Sequence, residues 1–279
     1  MHSIAVLITC HNRRQKTIHC LKNLFSCNGI EEVFNIVTYL VDDGSKDGTS
    51  ESVKRLFPNV CIILGSGDLY WNRGMHLAWE SAAASKKEID YFLWLNDDTI
   101  LSPNAILDLL PKHTNAIVVG STKSELSNKI TYGGFDQKSK LIVPNGQFQP
   151  CESFNGNVVL VPYEVYRTVG NLDPVFQHAI GDIDYGYRAK KEGIKLLVAP
   201  YYSGFCEGHD SLPKCWNYEV SVIDRFKFLY SPISYCNPKS FFKFDKRHHG
   251  SITAFFHLIT IHTRTLFPRL WIFPKLKKL

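Results

Sequence analysis

The chain has 279 residues, 44% apolar and 21% charged, with a formal net charge of +6. That composition belongs to an ordinary globular protein with a large core, which excludes a disordered chain, a collagen-like repeat and a disulfide-bound miniprotein. Its eight cysteines form no CxxC pair, so they read as reduced thiols of a cytosolic protein and not as a zinc framework.

Strands alternate with helical stretches from the start. Strand 4–9 is followed by helix 14–27, strand 36–41, helix 49–56, strand 60–64, helix 73–86 and strand 91–95. This alternation predicts a parallel sheet with crossover helices. Pro103 opens a helix over 103–111, and strand 116–120 follows. From 121 to 180 the pattern is less regular, with short strands near 130–134, 141–143 and 157–162 and a helix at 163–169. Helix 183–192, stopped by Gly193, leads into strand 195–199, and helices near 217–230 and 250–266 complete the chain.

Charge is unevenly placed along these elements. Residues 221–279 hold eleven Lys and Arg against two Asp and Glu, together with twelve aromatics. A basic, aromatic tail on a net-negative body points to an anionic membrane surface, not to nucleic acid. Ile252, Phe255, Phe256, Ile259, Leu266 and Leu270 recur near helical spacing, with Trp271, Phe273, Lys275, Lys277 and Lys278 beyond them. Such a helix either packs on the core or lies in the headgroup layer. The longest stretch without Lys, Arg, Asp or Glu, 248–263, is too short and polar to span a bilayer, and residues 4–9 are too short for a signal peptide. The expected location is cytoplasmic, at most peripheral on the inner face of the cell membrane.

Three strand ends carry the polar chemistry. Strand 4–9 runs into Thr9-Cys10-His11-Asn12-Arg13, and strand 36–41 into Asp42-Asp43-Gly44-Ser45-Lys46-Asp47-Gly48-Thr49. Strand 91–95 runs into Asn96-Asp97-Asp98. Ligands of open α/β sheets bind beyond the carboxyl ends of strands. Mg²⁺ or Mn²⁺ takes hard oxygen ligands, one or two carboxylates plus phosphate oxygens and water. Asp182-Ile183-Asp184 then precedes a helix bearing Arg188. An acid there either complements the helix N-terminus or serves as a general base for an alkyl hydroxyl. His209 follows a strand and is a further candidate metal or phosphate contact.

In this order the four motifs resemble the inverting family 2 glycosyltransferases of the GT-A fold, over roughly residues 3–210. The resemblance implies a mostly parallel central sheet flanked by helices, with a C-terminal helical extension. It divides the chain into a nucleotide-sugar-binding half at 1–120, an acceptor-binding half at 121–215 and a basic aromatic extension at 216–279. It assigns Asp42 or Asp43 to the nucleotide base and Asp98, with Asp97 beside it, to Mg²⁺ or Mn²⁺ and the diphosphate. Asn96 stands where the family's first strand-tip Asp is usual. Asp182 is then the catalytic base, with Gly181 where Glu is common. Gly67-Asp68-Leu69-Tyr70-Trp71-Asn72-Arg73-Gly74 resembles a donor-side segment of polysaccharide-building members, including rhamnosyltransferases. Thr9, His11, Asn12, Arg13, Gly44, Gly67, Asp68, Trp71, Asn72, Arg73, Asp184 and Arg188 complete the expected substrate site, with His209 as a second metal ligand. The implied partners are a UDP- or dTDP-sugar donor and a glycan or lipid-linked acceptor in surface polysaccharide synthesis.

Three other classes compete. A sugar-phosphate nucleotidyltransferase resembles a glycine-rich start after the first strand, and Thr9–Arg13 has no glycine. A dehalogenase-type phosphatase needs a nucleophilic Asp where Asn96 stands. A non-catalytic membrane-surface binding protein would leave three acidic strand ends without purpose.

Overall fold

The computed structural model describes residues 1–85, 87–110, 115–208 and 212–271. They form two compact units, Met1–Pro174 with Asp182–Gly208, and Val175–Gly181 with His209–Leu279.

The first unit opens with β1 (His2–Cys10), α1 (Arg14–Phe25), β2 (Phe34–Asp42), α2 (Thr49–Leu56), β3 (Cys61–Leu64), α3 (Tyr70–Ala83) and β4 (Tyr91–Leu95). β1 pairs in parallel with both β2 and β4, and Cys10 lies opposite Asp42. β1 is buried on both faces, which is why it reads as an unbroken apolar run. Ile4, Val6 and Ile8 pack with α1, while Ala5 and Leu7 pack with α3, so one alternating strand feeds two cores. The second core is built around Trp79, Trp94 and Tyr185, whose ring centroids lie 5.2–5.3 Å apart.

The chain continues through β5 (Ile100–Leu101), α4 (Ala105–Leu109), β6 (Ala116–Lys123), β7 (Ile130–Tyr132), β8 (Gly134–Phe135), β9 (Gln149–Pro150) and β10 (Ser153–Phe154). β11 (Val158–Pro162), α5 (Tyr163–Val169), α6 (Gly181–Lys191) and β12 (Lys195–Phe205) follow. The main sheet has the order β3-β2-β1-β4-β11-β6-β12-β5. β11 runs antiparallel to both neighbours, with Val158 opposite Leu95. An antiparallel strand begins where its partner ends, so β11 brings residues 156–157 to the tip of β4.

The second unit holds α7 (Val222–Leu229), α8 (Pro238–His248) and α9 (Ser251–Leu266), with single 3₁₀ turns at Lys214–Trp216 and Pro268–Trp271. The Ser221 and Asn237 side chains cap α7 and α8, and Pro238 occupies the first helical position of α8. Cys215, Leu229 and Cys236 form its small core. Arg225 Nη1 donates to the Thr265 carbonyl at 2.6 Å, tying α7 to α9.

Several boundaries differ from the sequence expectation. α3 begins at Tyr70 and not at 73, because buried amides there find an acceptor in Asp43. The helix expected near 217–230 is shorter, since α7 begins only at Val222 behind its Ser221 cap, and α8 is an element the sequence expectation lacks. Residues 141–143 form only one bridge, Leu141 to Phe135. β12 continues past Pro200 through an irregularity in its pairing with β6, where a missing N–H is tolerated. No described helix is long and apolar enough to cross a membrane.

Gly204 marks where β12 holds the segment after the β4 tip. A Cβ there would lie 2.1 Å from the Ile100 carbonyl oxygen, and backbone cannot yield as a side chain does. Gly204→Ala is expected to destabilise the protein by about 1–3 kcal/mol, read as a lower urea midpoint at unchanged slope.

Candidate active site

The ends of β1 and β2 are laced together by the side chains that the motifs single out. Asn12, in the left-handed region at φ 50°, donates its N–H to Ser45 Oγ at 2.8 Å and accepts the Lys46 N–H at 2.7 Å. His11 Nδ1 meets the Asp43 carbonyl. Asp42 accepts the Ser45 N–H at 2.9 Å and the Ser50 hydroxyl. Asp43 accepts backbone N–H groups of Gly67, Leu69 and Tyr70 at 2.7, 2.9 and 3.0 Å. It therefore caps α3 from another loop and offsets the left-handed φ of 58° at Tyr70. Gly44 has φ +71°, and a Cβ on it would meet the Gly67 Cα at 2.9 Å. Thr9 sits under Gly74, where a Cβ would come within 2.2 Å of its hydroxyl.

The tip of β4 gathers charge. Arg13 Nη1 donates to Asp97 Oδ1 and Asp98 Oδ2, each at 3.0 Å. Lys16 lies 3.7 Å from Asp98, and Thr17 donates to Asp97 Oδ2 at 3.4 Å. Arg13, Lys16 and Thr17 share one face of the start of α1, since residues three and four apart are neighbours. Burial pushes the Asp97 carboxyl up to about 6, with Arg13 opposing and the charge of Asp98 adding. Asp98 is the more exposed of the two. Cys206 Sγ lies 3.5 Å from it, and burial together with Asp98 keeps that thiol protonated, at about 12.

Among the described residues, no group of three His, Cys, Asp or Glu side chains could hold a metal alone. Two adjacent carboxylates do suit a cation that takes its other ligands from substrate phosphates and water. The donor set could take Mg²⁺ or Mn²⁺ shared with a diphosphate, Asp98 being the more exposed carboxylate. His209, the other expected ligand, lies outside the described residues.

A chain of contacts joins this tip to Asp182. Asn96 Oδ1 accepts the Trp71 indole N–H at 2.7 Å, and the Asn96 N–H donates to the Asn157 carbonyl at 3.0 Å. The far edge of Trp71 lies against Gly156, where a Cβ would come 2.4 Å from the ring and 3.2 Å from Asp182 Cβ. Gly156 N–H donates to Asp182 Oδ2 at 2.8 Å, and Ile183 N–H to Oδ1 at 2.9 Å. Burial raises the Asp182 carboxyl above the ordinary range, against these amide bonds. Asp182 as a residue is half-buried.

Other expected substrate contacts serve the scaffold. Asp184 is fully buried and accepts from Arg188 Nε at 2.9 Å. Arg188 Nη1 and Nη2 donate to the Val169 and Asn171 carbonyls at 2.7 and 2.8 Å. All three guanidinium nitrogens thus bind protein in this structure. Buried Asn72 donates to the Asp173 carbonyl and Arg73 Nε to that of Pro174, each at 2.8 Å. Asp68 accepts the Ser66 hydroxyl. Sequence reasoning missed Lys16, Gly156, Asn157 and Cys206. Lys16 carried a signal, one turn beyond Arg13; Gly156 and Asn157 become legible only once β11 is known to run against β4.

Comparison with known proteins bears on the family and the fold. A family model described as glycosyl transferase family 2 matches residues 5–158, more than half of the chain. No curated protein matches. Among solved structures, S. aureus TarS 1–349 is similar at a TM-score of 0.57 and 11% identity, over 97% of this chain and 92% of that one. GalNAc-T7, crystallised with UDP, GalNAc and Mn²⁺, is similar at 0.55 and 16%, over 89% of this chain and 54% of that one. The chain thus spans about half the length of the GalNAc-T7 chain. At such identities the likeness concerns the fold, which is the α/β fold of GT-A type. By the family match, the chain belongs to glycosyl transferase family 2.

Proposed function

We infer that the chain moves a sugar from a nucleoside diphosphate donor to an acceptor hydroxyl, inverting the anomeric carbon. The observation that carries this reading is Asp182, a desolvated carboxylate tethered through Gly156, Trp71 and Asn96 to the acidic tip of β4. Family membership favours sugar transfer over nucleotidyl transfer or passive binding.

Asp42 is the better partner for a nucleotide base. It has accepted two hydrogen bonds and Asp43 three, of about four sites on a carboxylate. Arg13 and Lys16 stand where a diphosphate would bind and would offset its charge. Asp98, with Asp97 behind it, would hold Mg²⁺ or Mn²⁺, which supplies Lewis-acid neutralisation of the leaving group; GalNAc-T7 carries Mn²⁺ beside UDP. Each Asp182 oxygen holds one amide and retains a lone pair for the acceptor. Asp182 takes the hydroxyl proton as that oxygen bonds to the anomeric carbon. The bond from that carbon to the phosphate oxygen breaks, and the nucleoside diphosphate leaves. Asp182 acts only when deprotonated, and its raised pKa makes it the stronger base. Incubation with UDP- and dTDP-sugars should release nucleoside diphosphate; release of pyrophosphate instead would reject the reading.

The tail supports peripheral membrane contact as a second proposal. α9 packs through Ala254 and Thr265, yet Ile252, Phe255, Phe256 and Ile259 stay exposed, Ile252 at 88%. Because α9 belongs to the packing of the second unit, point substitutions are a cleaner probe than removal of residues 252–279.

Asp182→Asn is expected to lower kcat by 10²–10⁴. In the wild type kcat/KM should fall on acidification through a pKa above the usual ~3.9 of aspartate, because protonation removes the base, and the variant should lose that limb. Trp71→Phe keeps a ring but removes the donor to Asn96. It should cut kcat about tenfold or more with little change in donor KM, since small misplacement is costly in rate. Ile252→Glu with Phe256→Glu should abolish co-sedimentation with phosphatidylglycerol vesicles; equal sedimentation of wild type and variant would count against membrane contact.

A further inference from the structure

We propose that a cleft of about 240 Å³ in the second unit is a binding site for a phosphate ester, with Arg264 receiving the phosphate and Trp216, Phe241 and Ile261 flanking the organic part. It lies wholly within that unit and does not rest on the sugar-transfer reading.

The Arg264 guanidinium sits over the Trp216 indole, 3.5 Å from the ring centroid. Stacking engages the face of a guanidinium and leaves its edge N–H fork available, the geometry that receives phosphate oxygens in pairs. Among the described residues, Arg264 has no hydrogen-bond or ion-pair partner. It is nevertheless half-buried, and burial works against its charge. A desolvated cation with unfilled donors at a cleft wall is completed by an anion.

His257 lines the same cleft. Its Nδ1 is engaged by Asp245 Oδ2 at 2.8 Å, which leaves Nε2 as the second ring nitrogen. Among the described residues no carboxylate lines the cleft, and Asp245 lies behind His257 as its hydrogen-bond partner. A guanidinium fork with a ring nitrogen beside it offers donors to several oxygens at once, which suits a phosphate. The volume, below the ~300–1,000 Å³ of drug-sized sites, fits a phosphate with a few carbons or the head of a longer amphiphile. The shared chemistry is thus a phosphate ester, from a soluble metabolite or from a lipid headgroup.

The test is calorimetric titration of the full chain with hexyl phosphate, with hexan-1-ol as the uncharged control. Wild type should bind the phosphate and not the alcohol. Arg264→Gln should weaken binding at least tenfold, and His257→Gln several-fold. Arg13→Gln, which alters the β4 tip, should leave it unchanged. If Arg264→Gln lowers the melting midpoint, Arg264→Lys decides, since it keeps the charge and loses the fork; weaker binding is again expected. Sedimentation with phosphatidic acid vesicles that depends on Arg264 identifies a lipid headgroup as the source. Binding of hexyl phosphate without such sedimentation identifies a soluble ester. No binding by the wild type, or wild-type affinity retained in Arg264→Gln and in Arg264→Lys, overturns the proposal.

Discussion

Everything at the first unit's carboxyl edge depends on holding two adjacent carboxylates at the end of a buried strand. Asp97 has almost no contact with water, and Asp98 lies beside it. Like charges so placed, in a medium that solvates them poorly, need a cation at close range. Arg13 supplies it from the first turn beyond β1, and the parallel pairing of β1 with β4 brings it there. The same parallel register carries the end of β2 alongside. The convergence of three loops is thus a consequence of strand order, and the charge balance makes that convergence stable.

β11 adds what a purely parallel sheet would not. Running against β4, it starts at the strand tip and sets Gly156 and Asn157 beside Asn96. Only glycine at 156 admits the Trp71 ring and Asp182 together. Both Asp182 oxygens are then fixed by amides, which orients the carboxylate. Replacement of an acid by Asn96 is intelligible in the same terms. Its amide oxygen accepts from Trp71, and the carboxylates that remain face the other way, toward Arg13.

The alternation of strands and helices through β4 was legible because buried parallel strands are continuous apolar runs between polar turns. The partners of β11 were not, since an apolar run of five residues reads the same in either direction. α8 is absent from the sequence expectation although Asn237-Pro238 is a helix-start signal. Among side chains, the positions of Asp42, Asp43, Asp97 and Asp98 at strand ends followed from sequence, but their partners did not. A carboxylate before a glycine-rich turn looks alike whether an amide or a ligand fills it. Asp43 proved to hold three amides, and Asp184 to hold Arg188.

The fates of the buried arginines sharpen the distinction between scaffold and site. Arg188 closes on Asp184 and two carbonyls, so its charge and its donors are answered within the chain. Arg225 donates to Thr265 and thereby pins two helices. Removing either would leave a buried polar partner exposed to loss, a structural effect without bearing on a ligand. Arg264 differs because its one strong contact is the face of Trp216, which neutralises nothing and fixes only orientation. A guanidinium positioned in that way is pre-organised for an oxyanion, as Arg13 is at the β4 tip, where carboxylates of the chain itself supply the counter-charge. At Arg264 no carboxylate among the described residues makes such a contact, which is the opening the proposed phosphate would fill.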